Sequence, residues 1–140
     1  MLFGRVDIYK DFASCKVISL SASLPPDTQI EEDLMGAGQW TLIEGEERTI
    51  CNYKCKKALA SDGALAWYTE EIPVSDGPDT YSGLPGLILK VSMPGQYTIT
   101  ARKVHVTAND ERIDIPQRLK AISTEEYKRI LRKTLPHRKR

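Results

Sequence analysis

The chain has 140 residues, a formal net charge of +1, and 41% hydrophobic against 28% charged residues. These are ordinary globular values: they exclude wholesale disorder, and a near-neutral balance gives no electrostatic case for nucleic acid. No run approaches the roughly 18 apolar residues of a membrane-spanning helix, and "MLFGRVDIYKDF" lacks the apolar core of a signal peptide.

"RVDIYKDF" alternates, with Val6 and Ile8 on one face. "KVISLSAS" follows with Val17 and Ile18, until two prolines in "LPPDT" break the pattern. "QWTLIEG" puts Trp40, Leu42 and Glu44 on one face, and a Gly-Glu-Glu turn at residues 45–47 leads into "RTICNYKCKKALA". "ALAWYTEEI" centres on the β-formers Trp67, Tyr68 and Thr69. One of the two aromatics is expected to face inward. The other then lies on an open face near Tyr97 or Tyr81, covering a loop or holding a ligand. "LILKVSM" and "QYTITARKVHV" flank Pro94-Gly95, a short hairpin loop, so these strands pair antiparallel. In the second, Tyr97, Ile99 and Ala101 alternate with polar residues, which leaves one face for solvent or a partner.

The C-terminus changes period. Ser123 stands three residues before Glu126 in a capping-box pattern, and Tyr127, Ile130 and Leu131 mark the apolar stripe of a helix ending near Leu135. The pattern predicts a mainly β (α+β) chain: a curved antiparallel sheet or half-barrel meander of about seven strands with one C-terminal helix. Its parts are one antiparallel β domain over residues 1–122, a helix over 123–135 and a basic tail over 136–140. The tail, "LPHRKR" with His137, matches no groove-binding motif and reads as a solvated terminus, so nucleic acid is not an expected partner.

Chemistry-bearing residues are sparse. Cys15, Cys51 and Cys55 are accompanied by no second Cys/His pair at metal-ligand spacing. An extended strand holds Cys51 and Cys55 about 13 Å apart, beyond disulfide reach, and Cys15 reaches either only from a neighbouring strand. Buried free thiols are the expectation. Cys55 has lysines on both sides that would lower a thiol pKa, but alternation turns it to the opposite face. Asp76 in "SDGP" reads as an aspartate tying its own turn. Glu70 and Glu71, adjacent in a strand, point to opposite faces. His105, between Val104 and Val106, reads as a solvent-facing strand histidine with no nucleophile beside it. No cofactor is expected, since "GLPG" lacks both the lysine and the following helix of a phosphate loop.

The remaining signature is "YSGLPGLILKV", residues 81–91. Leu84-Pro85-Gly86-Leu87 fits a type II turn with Gly86 at positive φ, and Gly83 leaves room for another backbone. Leu87, Ile88, Leu89 and Val91 then enter a buried strand. Taken in order, Trp40, Tyr53-Lys54-Cys55, Ala66-Trp67-Tyr68-Thr69, Ile72-Pro73, Asp76-Gly77-Pro78 and Gly83 to Ile88 resemble the GLPGLI family of envelope proteins over about residues 40–91. Members usually carry a signal peptide and further N-terminal strands, which this chain, starting at Met1, does not show. Their basic "FRGR"-like stretch before the AWYT segment is here "SDGA", Ser61 to Ala64, so no arginine role carries over.

The family has no established reaction, and the resemblance implies a periplasmic or cell-envelope location. It implies a non-enzymatic domain that binds an outer-membrane or envelope protein, or an apolar ligand, on an open sheet face or edge. The candidate binding or signature residues are Trp67, Tyr68, Asp76, Gly77, Pro78, Gly83, Leu84, Pro85 and Gly86. Self-association through an edge strand is a further expectation. The alternative is a hydrolase or redox enzyme built on Asp76, His105 or Cys55.

Overall fold

A computed structural model describes residues 6–107 and 113–134. The expected basic tail, His137 and the helix end at Leu135 lie outside the described residues. The protein is mainly β. In chain order the strands are β1 (Val6–Asp11), β2 (Lys16–Ser21), β3 (Thr28–Asp33), β4 (Trp40–Ile50), β5 (Tyr53–Ala60), β6 (Leu65–Thr69), β7 (Leu87–Met93), β8 (Tyr97–Thr100) and β9 (Lys120–Ile122). The helix α1 (Thr124–Thr134) follows. The chain divides into two compact units, Met1–Leu34 with Arg112–Arg140, and Met35–Glu111.

The first unit carries a sheet in the order β1-β2-β3-β9. The first three strands are antiparallel, and β9 runs parallel to β3, so a meander does not describe this unit. The pattern of the sequence did not announce β3, because two of its three buried residues, Thr28 and Gln29, are polar and only Ile30 is apolar. Gln29 is 1% exposed, yet its Oε1 accepts from the Arg118 amide at 2.8 Å and its Nε2 donates to Glu31 at 2.7 Å. A buried amide satisfied in this way needs no apolar alternation to announce it. The helix starts as the capping pattern predicts, with Ser123 Oγ accepting from the Glu126 amide at 3.1 Å. Glu125 and Glu126 occupy its first turn and Arg132 and Lys133 its last, complementing the helix dipole. Tyr127 and Ser21 share a hydroxyl–hydroxyl bond of 2.9 Å, and Thr124 Oγ1 donates to Glu32 at 3.1 Å, which ties α1 to this sheet.

The second unit is an antiparallel meander in the order β4-β5-β6-β7-β8. Two irregularities set its faces. The turn expected at Gly45–Glu47 is instead a bulge: Ile43 pairs with Lys57 and Glu47 with Lys56, leaving Glu44, Gly45 and Glu46 outside the ladder. The true reversal is at Cys51-Asn52, whose φ values of 52° and 67° are the left-handed pair that two-residue hairpin loops use. The second bulge lies in β7. Trp67 pairs with Lys90 and Tyr68 with Ile88, so Leu89 is the extra residue. Ile88 and Val91, three positions apart, thereby join one buried cluster while Leu89 joins another. Strand β8 ends at Thr100, so His105 lies in an irregular segment and not in the strand expected there.

Candidate functional site

The signature works through space left by small residues. Ala58, Ala60, Ala64 and Ala66 on β5, β6 and their connecting turn form a shallow surface, and the chain between β6 and β7 folds back across it. Tyr81, 4% exposed, and Leu84, 1% exposed, are buried in the same cluster as these alanines. Burying a leucine fully contributes about 1.5–3 kcal/mol. Trp40 holds the loop from the side: its ring centroid is 6.3 Å from that of Tyr81, and its Nε1 donates to the Ser82 carbonyl at 2.7 Å. Ser82 Oγ donates to the Met35 carbonyl at 3.0 Å, and the Gly83 amide donates to Ser75 Oγ at 3.1 Å.

The two glycines of the motif serve different needs. Gly83 has φ of 100°, and a Cβ there would stand 2.7 Å from the Gly36 carbonyl carbon. The close backbone approach expected at Gly83 is therefore present. Gly86 does not have a positive φ, which corrects the type II turn assignment. A Cβ on it would instead lie 2.0 Å from the Thr69 carbonyl oxygen, where β6 and β7 begin to pair. Pro85 and the buried Leu84 sit between these two tight points.

Trp67 and Tyr68 are both buried, at 8% and 2% exposure, which corrects the expectation of one inward and one open ring. Each face of β6 has its own cover. Trp67 packs with Cys55 and Leu89, with the Arg48 guanidinium 4.5 Å and the Lys57 ammonium 5.6 Å from its ring centroid. Such contacts attract through the ring quadrupole. Tyr68 lies on the other face in the cluster that holds Tyr81 and Trp40. Tyr81 and Tyr97 share a hydroxyl–hydroxyl bond. Burial first, then that bond, pushes the Tyr81 phenol well above its usual range, and burial raises Tyr68 as well.

Asp76 ties its own loop, its Oδ1 accepting from the Gly77 amide at 2.8 Å. Its carbonyl accepts from the Ile88 amide at 3.0 Å, pinning the loop to β7. Gly77 passes so close to Ile88 that a Cβ would lie 2.7 Å from the Ile88 Cβ. Gly77 and Pro78 line a groove of about 360 Å³ together with His105, over walls of Leu87, Leu89, Ile99, Ala101 and Val104. Cys55 is not part of it. That thiol is completely buried, and burial pushes its pKa up. All three cysteines are free, but Cys15 is exposed and Cys51 half-buried, so only Cys55 lies inside as expected.

Two further concavities were not legible in the sequence. One, of about 430 Å³, lies where Ala37, Trp40 and Leu42 meet Ser75, Gly83, Leu84 and Pro85. The other, of about 490 Å³, lies at the β4 bulge and brings Tyr68, Lys56 and Glu70 to Glu44, Glu46 and Glu47. The acids of "EGEE" were its only trace in the sequence, and they read as a turn. Among the described residues no group of three or more His, Cys, Asp or Glu is placed to hold a metal ion. Nor is any described helix long and apolar enough to cross a membrane.

Residues 61–90 match the family described as "Protein of unknown function (Porph_ging)". This stretch lies within the segment on which the resemblance to GLPGLI proteins rests. No curated protein matches the chain. Among solved structures the chain is similar to PNGF-II in its P21 and C2 crystal forms, with TM-scores of 0.67 and 0.66 at 20% sequence identity. The similarity covers 95% and 92% of this chain but only 26% and 25% of PNGF-II, so the chain spans about a quarter of that protein's length. At this identity the likeness is one of fold.

Proposed function

We propose that this chain is a non-enzymatic binding domain of the cell envelope, which takes an apolar segment of a partner protein along β7 and β8. The observation that carries this reading is the groove walled by Leu87, Leu89, Ile99, Ala101 and Val104. It runs beside β8, a four-residue strand at the end of the sheet order. An extended peptide laid there gains apolar contacts from the walls and backbone hydrogen bonds from the strand edge. The envelope location rests on the resemblance at residues 40–91. A fold that occupies a quarter of PNGF-II suits a part that serves a larger assembly.

The enzymatic alternative has weaker support. A buried Cys55 with a raised pKa is a poor nucleophile, because the thiolate is the reactive form. The Asp76 carboxylate is committed to the Gly77 amide. The test is a titration of the protein with extended apolar hexapeptides, followed by backbone amide NMR. Shifts are expected at Leu89, Ile99 and Ala101, the peptides should remain uncleaved, and Ile99→Glu should abolish the shifts while leaving the thermal midpoint in place. Binding that survives Ile99→Glu rejects the groove, and peptide cleavage rejects the non-enzymatic reading.

A further inference from the structure

At the β4 end of the five-stranded sheet, Glu44, Gly45 and Glu46 leave the ladder, and Gly45 takes a φ of 87°. The cavity of about 490 Å³ beside them is lined by four acidic residues, Glu44, Glu46, Glu47 and Glu70, and by Lys56. Lys56 holds Glu70 at 2.7 Å, and Lys57 holds Glu46 at 2.8 Å. Glu44 and Glu47 form no close ion pair among the described residues; Glu47 stands opposite Lys56 and acts on that ammonium, which Glu70 already holds, so the wall keeps a net negative charge.

Acids on an outer strand have an ordinary use, which is to repel a second strand edge. That use needs neither a cavity nor a polar group beneath it. Tyr68 separates the two cases. Its side chain is 2% exposed and lines the cavity, and its hydroxyl makes no hydrogen bond with a described residue. Among the described residues no fully buried side-chain oxygen lacks a partner, so the small part of Tyr68 that stays accessible includes this hydroxyl. A buried phenol ordinarily finds a protein partner. Burial and then the Glu70 charge raise its pKa, so it remains a neutral hydroxyl.

We propose that this cavity binds a primary alkylammonium group, the chemistry shared by a lysine side chain and a short aliphatic amine. The three donors of an ammonium match the two unpaired carboxylates and the Tyr68 oxygen. Its alkyl stem lies against Leu42 and Ile43, which line the same cavity. An anion is repelled, and a neutral ligand leaves the net negative charge in place. A divalent metal ion needs a converging set of ligands that the described residues do not form. The site is separate from the β7–β8 groove and does not depend on it.

Calorimetric titration of the full chain with n-pentylammonium at low salt tests this, with pentanol and pentanoate as neutral and anionic controls of equal length. Pentylammonium should bind and the controls should not. The double variant Glu44→Gln/Glu47→Gln should weaken binding at least about tenfold, and Tyr68→Phe, which keeps the ring, about three- to tenfold. Both effects should come with amide shifts at Gly45 and Glu47. A lysine-containing tetrapeptide distinguishes the sources: tighter binding than pentylammonium identifies a lysine side chain, weaker binding a free amine. Equal binding of pentanol, a double variant within twofold of the parent, calcium displacing the amine, or no ammonium binding at all overturns the proposal.

Discussion

A Cβ on Gly86 would stand 2.0 Å from a backbone oxygen, and backbone cannot swing aside as a side chain can. Gly86→Ala should therefore lower stability by about 1–3 kcal/mol or more, the cost of forced overpacking. Gly38→Ala, where nothing lies within 4 Å, should shift it by less than about 0.5 kcal/mol. Urea midpoints of the two variants check this, and equal midpoints would refute it. Trp67→Ala should cost about 3–5 kcal/mol by the same measurement, since the ring fills a buried cluster under two cationic side chains. Thiol labelling of the native protein should modify the exposed Cys15 quickly and the buried Cys55 slowly. The role of Gly83 was readable in the sequence because a glycine before Leu-Pro-Gly implies close approach. The role of Gly86 was not. Pro-Gly fits a type II turn equally well, and only the position of Thr69, seventeen residues earlier, decides between φ and clearance. Trp67 and Tyr68 posed a similar problem, because alternation assigns faces without revealing that both faces are covered.

Secondary-structure elements were legible where their pattern was local. The Pro94-Gly95 hairpin and the Ser123 cap required only neighbours a few residues away, and both formed as expected. The β4 bulge and β3 depended on distant partners: on the β5 register in one case and on Arg118 in the other. The bulge has a direct test. Removing Glu44, Gly45 and Glu46 would place Ile43 next to Glu47, opposite the consecutive residues Lys57 and Lys56, and so restore a regular ladder. The deletion should preserve the fold by circular dichroism and leave the urea midpoint equal or higher. It should also increase self-association in sedimentation, because a straight outer strand is a better template for pairing. Unfolding of the deletion variant would show that the three residues hold the sheet together.

At the scale of the whole molecule, the two units differ in how the chain supplies them. Met35–Glu111 is continuous and contains both buried clusters of its sheet. A fragment of residues 35–111 should unfold cooperatively in urea, whereas residues 1–34 alone, lacking β9 and α1, should show no transition. The protein should also lose stability at alkaline pH. Burial raises the pKa values of Cys55, Tyr68 and Tyr81, so the folded state holds these protons more tightly than the unfolded chain does. The resulting stability is complete below the ordinary values of 9.0 and 10.0 and is lost as pH rises toward the raised ones. The urea midpoint should fall between about pH 9 and pH 11, and less steeply in Tyr81→Phe. A flat midpoint would contradict the burial of these groups.

The parallel pairing of β3 with β9 also sets a clock. Residues Thr28 to Ile30 receive their partner, Lys120 to Ile122, only after roughly 90 further residues of chain exist. At about 5–20 residues per second of synthesis, that edge waits about 5–18 s on the ribosome. During this interval the whole of Met35–Glu111 is made. A chain released early, anywhere after Glu111 and before Lys120, leaves with its five-stranded sheet finished and β3 open. The hazard of premature termination in this protein is therefore an adhesive first sheet on an otherwise folded molecule, and a chaperone that shields bare strand edges would have most to do at the thirtieth residue.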